Sequence, residues 1–184
     1  MEEGMEAFES ALEIQRNTMT HDPESGPVIF ATANTLQNMA FWYQNQRKPG
    51  LVVSVLEESL ALQEKVLGKS HPTVLATMDS LAEAYLATAD IMSSIKYYKE
   101  VLERMDPTSS SSLQEATALY KISKVNFQNN DLDSQLSRLQ MAQRVLQSDP
   151  STLNSKARVD LERRITKDIE DSSEMLGSVA LDWV

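Results

Sequence analysis

The chain has 184 residues, a formal charge of −10 and no cysteine. A chain of this length buries roughly 70% of the surface its unfolded form exposes, so a core without disulfide or metal staples is expected. Zero cysteines exclude disulfides, a thiolate nucleophile and sulfur-ligated zinc or iron–sulfur centres, and the acidic balance opposes general attraction to nucleic-acid phosphates or anionic membranes.

No apolar run nears the ~20 residues of a membrane span, and Met1-Glu2-Glu3-Gly4 is acidic where a targeting leader is basic. No Asn-x-Ser/Thr acceptor is present either. The expected location is therefore the cytoplasm or another reducing intracellular compartment, or an organelle if a leader has been removed, without direct membrane insertion.

The prolines at 23, 27, 49, 72, 107 and 150 punctuate segments with helical periodicity. Predicted helices run from about 3 to 19, 28 to 47, 51 to 67, 73 to 88, 91 to 105, 112 to 128, 132 to 147 and 151 to 174. In the third, Val52, Val55, Leu56, Ser59, Leu60, Leu62, Gln63, Val66 and Leu67 step by three and four, which puts them on one stripe. Leu75, Met78, Leu81, Ala82, Tyr85 and Leu86 do the same in the fourth, and Ile95, Tyr98, Val101, Leu102 and Met105 in the fifth. Gly68, Pro107 and Pro150 stand where chains leave helices. No segment reads as a strand.

Sliding the chain against itself by about 42 residues aligns Leu36, Met39, Ala40 and Tyr43 with Met78, Leu81, Ala82 and Tyr85. A further step of about 41 brings Leu119, Ile122, Ser123 and Asn126 into register, and Lys48, Asp90 and Asp131 follow at one common position. Phe8, Ala11 and Leu12 match Leu56, Ser59 and Leu60, so the chain opens on a half repeat. Hairpins of this kind cover their apolar stripes by stacking. Small residues at Ala40, Ala82 and Ser123 allow close helix approach, and the longer first junction, His21 to Pro27, is expected to make room for the Trp42 indole.

The stretches Leu36-Gln37-Asn38-Met39-Ala40-Phe41-Trp42-Tyr43, Leu81-Ala82-Glu83-Ala84-Tyr85 and, above all, Leu67-Gly68-Lys69-Ser70-His71-Pro72 resemble the tetratricopeptide repeat superfamily, in its kinesin-light-chain-like branch with 42-residue repeats. The resemblance covers about residues 1 to 150. It implies an all-α, right-handed superhelical solenoid: a half repeat over 1–27, repeats over 28–72, 73–113 and 114–150, a capping helix over 151–174 and an apolar tail over 175–184. It also implies a concave groove lined by the first helix of each repeat. Carried over position by position, the lining is Asn34, Gln37, Phe41, Gln44 and Asn45, then Asp79, Glu83 and Leu86, then Tyr120, Lys124 and Phe127. Aromatic anchors beside amides suit an extended peptide or a helix; alternatively, these side chains pack on the chain's own last helix. With one base against two acids, a neutral or basic partner segment is expected.

Chemistry has no foothold in the sequence. His21 and His71 are in no metal-binding spacing and are expected to bond local backbone. No nucleophile elbow, phosphate-cradling loop or dinucleotide fingerprint is present, and Glu2-Glu3 and Glu57-Glu58 point apart on their helices. Neither catalytic activity, a metal nor a cofactor is expected. The serine run Ser109 to Ser112 reads as a loop with one serine capping the next helix, and Ala157, Leu161, Ile165 and Ile169 form the narrow stripe expected of a capping helix.

The ends offer further contacts. Phe8 and Leu12 lie on a stripe left partly uncovered by the missing half of the first hairpin, and Leu181, Trp183 and Val184 make a tail that folds back or docks elsewhere. The sequence thus leads to a non-catalytic protein-interaction scaffold, working by its groove or its ends, with a small structural subunit of a stable complex as the alternative.

Overall fold

A computed structural model describes residues 2–105, 112–149 and 155–181. Among these residues there are eight helices and no strand: α1 Glu2–His21, α2 Gly26–Asn45, α3 Pro49–Leu67, α4 Pro72–Ala87, α5 Ile91–Arg104, α6 Ser112–Gln128, α7 Leu132–Ser148 and α8 Lys156–Leu181. They fall into two compact units, Met1–Arg104 and Met105–Val184.

In the first unit each helix packs on the next, from α1 through α5. The repeat positions read from the sequence are the core: Leu36, Met39 and Ala40 of α2 and Met78, Leu81 and Ala82 of α4 are all buried. Each large apolar side chain buried there contributes about 1.5–3 kcal/mol. Small residues let helices close on each other: the Ser59 hydroxyl donates to the Ala33 carbonyl at 2.9 Å, tying α3 to the backbone of α2.

The hairpin turns repeat to the level of single hydrogen bonds. Arg47, Ala89 and Asn130 all have left-handed φ, at 54°, 62° and 57°. After each, the next amide reaches back five residues, from Lys48 to the Tyr43 carbonyl at 3.0 Å, from Asp90 to Tyr85 at 2.9 Å and from Asp131 to Asn126 at 2.9 Å. This pairing satisfies carbonyls that the helix end leaves open. Asp90 and Asp131 then start the following helix by accepting from the amides of Ser93 and Ser134, both at 3.1 Å. Lys48 cannot accept, and Pro49 opens α3 instead.

The Gly68 to Pro72 loop has an equally local cause. Gly68 leaves α3 at φ 84°, a backbone that side-chain-bearing residues rarely adopt. His71 Nδ1 then accepts from the Thr73 amide at 3.2 Å and Pro72 opens α4, the backbone-bonding role the sequence suggested for that histidine.

Two expectations about the ends need correction. Leu12 is only 7% exposed, clustered with Met5, Leu36 and Met39, with Phe8, Trp42 and Tyr43 packed against them. Leu12 is therefore covered by α2, with the large indole at Trp42 part of the cover, while Phe8 is half-buried. Ile14, at 65% exposed, is what remains open. At the other end, α8 continues as helix through Leu181, so residues 175–181 are no separate tail; Trp183 and Val184, like Ser109 to Ser111, lie outside the described residues.

In the second unit α6 and α7 pair, and α8 packs on α7 and touches α6. Leu119, Ile122, Leu139, Ala142, Leu146, Leu161 and Ile165 form the core. The expected stripe of α8 is turned by one residue at its start: Ala157 is exposed and Arg158 is 2% exposed. The reason is the end of α7. Two Arg158 nitrogens donate to the Leu146 and Asp149 carbonyls, while Nε donates to Glu162 at 2.8 Å. A guanidinium supplies both the missing donors and the positive charge that a helix C-terminus favours.

Candidate protein interaction site

In the first unit, α2, α3 and α4 enclose an open cavity of about 650 Å³. Four residues expected in the groove line it together: Gln37, Phe41, Gln44 and Glu83. Phe41 is 68% exposed, a large apolar side chain left mostly open to water. Gln37 is held in place because its Nε2 donates to the Thr77 hydroxyl at 2.8 Å, and that hydroxyl lies 2.8 Å from Oε1 of buried Gln63. Gln44 is exposed beside the ring.

The remaining expected positions do not line this cavity. Asn34, Asp79 and Leu86 are half-buried, and Asn45 is exposed. Asp79 and Glu83 lie close enough to buried Tyr98 that, after burial itself, their charge raises the phenol well above its usual range.

The turn contributes what the helix-by-helix reading missed. Arg47 and Lys48 line the cavity with Pro49, and the Lys48 ammonium lies 6.0 Å from the centre of the Trp42 ring. Two bases thus stand against Glu83, and the cavity is not acid-biased as the two α4 acids had suggested. The available signal was position: in all three repeats the residues just past the first helix occupy the same left-handed turn, which holds them at the end of the inner face.

The third repeat answers differently. Lys124 Nζ bonds Asp168 of α8 at 3.3 Å and lies 5.7 Å from the centre of the Phe127 ring. Burial raises the Tyr120 phenol, and its hydrogen bond and proximity to Asp168 raise it further. Of the three residues expected to face a partner, two are thus engaged by the last helix of the chain itself. Lys124 and Phe127 also line a second cavity, of about 710 Å³, between α6–α7 and α8. Among the described residues no three His, Asp or Glu side chains stand close enough to hold a metal ion, and no helix is long and apolar enough to cross a membrane.

Residues 31–106, which hold α2 to α5, match the tetratricopeptide repeat family. This stretch is a tetratricopeptide repeat array. The repeat fold extends beyond it: the chain resembles a Podosopora anserina structure titled for kinesin-light-chain nearly identical TPR-like repeats, with a TM-score of 0.62 and 16% identity over 95% of this chain and 94% of that one. BtubC (BKLC) from P. vanneervenii superposes with a TM-score of 0.59 and 14% identity over 77% of this chain and 57% of its own. At such identities the likeness is one of fold.

Two curated relatives share 45% identity over 47 residues, 26% of this chain: the RxLR effector protein SFI4 of Phytophthora infestans (strain T30-4) and the secreted RxLR effector protein RXLR-C07 of Plasmopara halstedii. The match spans only 14% of the length of each relative. Tetratricopeptide arrays are interaction scaffolds whose partners are set by the side chains on the groove, not by the repeat fold.

Proposed function

We propose that the protein is a non-catalytic scaffold that binds a partner protein through the tetratricopeptide face of α2 and α4. The observation that carries this reading is the exposed Phe41 ring in a cavity walled by amides and apolar side chains. An aromatic anchor contributes apolar area, and Gln37 and Gln44 can bond a peptide backbone without discriminating its sequence. Arg47, Lys48 and Glu83 mix both signs, so an extended segment of small net charge is the best match for this cavity.

The aligned span of the effector relatives is about one repeat long. It supports a shared repeat, and their secretion and effector roles are not carried over. With no cysteine, the fold is independent of the redox state of its compartment.

The test is a photo-crosslinking phenylalanine analogue at position 41 together with affinity capture from the native cells, compared with Phe41→Ala/Gln44→Ala. Both side chains are exposed, so the double variant keeps its fold. Crosslinking through position 41 and loss of the same partners in the double variant support the groove. A complex of fixed composition that the double variant retains in full would instead identify a structural subunit joined through other surfaces.

A further inference from the structure

α2 differs from every other described helix in carrying no Asp, Glu, Lys or Arg over its 20 residues. Two copies of a chain with a net charge of −10 repel each other, so an uncharged face is where they approach at least cost. The open part of that face is patterned. Phe30 and Phe41 are 38% and 68% exposed, and Asn34 and Gln37, both half-buried, stand between them. At about 100° per residue the four side chains fall within about 60° of one another, and the rings stand about 16 Å apart along the axis.

The pattern is symmetric about its middle. Counted outward from the point between Thr35 and Leu36, Asn34 mirrors Gln37 and Phe30 mirrors Phe41. Just beyond the two ends of α2, Glu24 mirrors Arg47, and both are exposed. Glu24 bonds Lys65 at 2.9 Å and is still 80% exposed. Turned end over end, such a stripe sets aromatic against aromatic, amide against amide and acid against base. Self-complementarity of this kind is what a two-fold interface between identical chains requires.

We propose that α2 is a self-association surface, through which two copies pair antiparallel with Phe30 of each against Phe41 of the other and Glu24 facing Arg47 at both rims. Gln37 suits this pairing: its Nε2 is spent on the Thr77 hydroxyl, and its Oε1 is left to accept from the Asn34 amide of the second copy. A strongly charged foreign segment gains nothing from the uncharged centre of the face, whereas a second copy matches both the centre and the rims. The inference rests on the proposed reading of the Phe41 face as an interaction surface and adds its regulation. A dimer covers Phe41, so a partner protein and a second copy exclude each other there.

The test is sedimentation equilibrium of the full chain at about 150 mM salt. A dimer with a dissociation constant of about 10–100 µM is expected, since one helical stripe is less surface than a tight dimer buries. Phe30→Asp should weaken it at least tenfold while thermal unfolding stays cooperative, because the ring is partly exposed. Glu24→Lys and Arg47→Glu, both at exposed positions, should each weaken it at least threefold. An equimolar mixture of those two variants should recover the original affinity, because each chain then meets opposite charge at both rims.

A chain that stays monomeric up to about 0.5 mM would overturn the proposal. So would a dimer that Phe30→Asp leaves intact, or a mixture of the charge variants that pairs no better than either alone. The crosslinking test at position 41 separates this failure from that of the broader reading: a monomer that still captures a foreign protein through position 41 loses the dimer and keeps the interaction face.

Discussion

The first helices of the repeats present the same positions to opposite fates. Phe41 in the first repeat, Glu83 in the second and Lys124 in the third are equivalent by the repeat spacing. Phe41 stands open in a cavity of its unit, whereas Lys124 is bonded to α8 of its own. A repeat template sets where a side chain stands, and the presence of another helix in that unit decides whether it is spent on the fold or left for a partner.

The largest effect that would sharpen this contrast is on the helix doing the covering. Replacing Arg158 with alanine removes donors from the Leu146 and Asp149 carbonyls and should destabilise the second unit by about 3 kcal/mol. Hydrogen exchange at the amides of α7 and α8 reads this directly. Unchanged protection there would mean that these carbonyls are satisfied without the guanidinium, and that α8 covers the inner face for another reason.

Lys124→Ala should cost at most about 1 kcal/mol by urea denaturation, because the ammonium is partly solvated even while it bonds Asp168. Ala89→Gly should have the opposite sign, raising stability by about 0.5–1 kcal/mol, since an alanine at φ 62° carries strain that glycine does not. A loss of stability at that position would show that the left-handed turn is not maintained in solution.

Phe41→Ala should change stability by less than about 0.5 kcal/mol while weakening partner binding by at least tenfold, the signature of a side chain held for recognition. A loss of several kcal/mol in thermal unfolding would place the ring in the core and erase the contrast with Lys124.

The smallest effect is one the two units share. The backbone amide of Ser93, aided by its hydroxyl, holds Asp90 below the usual carboxylate range, and Ser134 does the same for Asp131 through its side chain and then its amide. A folded-state pKa lower than the unfolded one adds stability that is present above the unfolded value near 3.9. It is lost as pH falls through the lowered folded values. Asp90→Asn and Asp131→Asn should each flatten the acid limb of the stability curve slightly, and an unchanged limb would remove the caps from the account.

Much of this was legible in the residues. Eight helices, the repeat step and the buried positions at Leu36, Met78, Leu81 and Leu119 follow from apolar spacing, because a helix can bury only one stripe and the stripe is written every three or four residues. The roles of Gly68, His71 and Pro72 are local to one turn and could be read there too. Gln37, Phe41, Gln44 and Glu83 were named from repeat register, and they share one cavity.

Other features were not legible, for a common reason. Arg158 looked like one more solvated charge on α8, since nothing in its neighbours shows that the open carbonyls of α7 lie against it. Arg47 was placed inside the second helix and Lys48 only in the repeat register, because nothing local shows that α2 ends at Asn45 and that the turn carries both bases to the cavity. Leu12 was assigned to a partly uncovered stripe because its cover, including Trp42, comes from another helix.

The sequence by itself determined that this chain is helical, where α2 to α7 begin and end to within about two residues, and which face of those helices seeks cover, because those depend on periodicity and on bonds within a turn. Only the tertiary structure decided which faces were covered. That choice depends on which helices meet across tens of residues, and a charged side chain such as Arg158 or Lys124 takes its role from the partner it meets there.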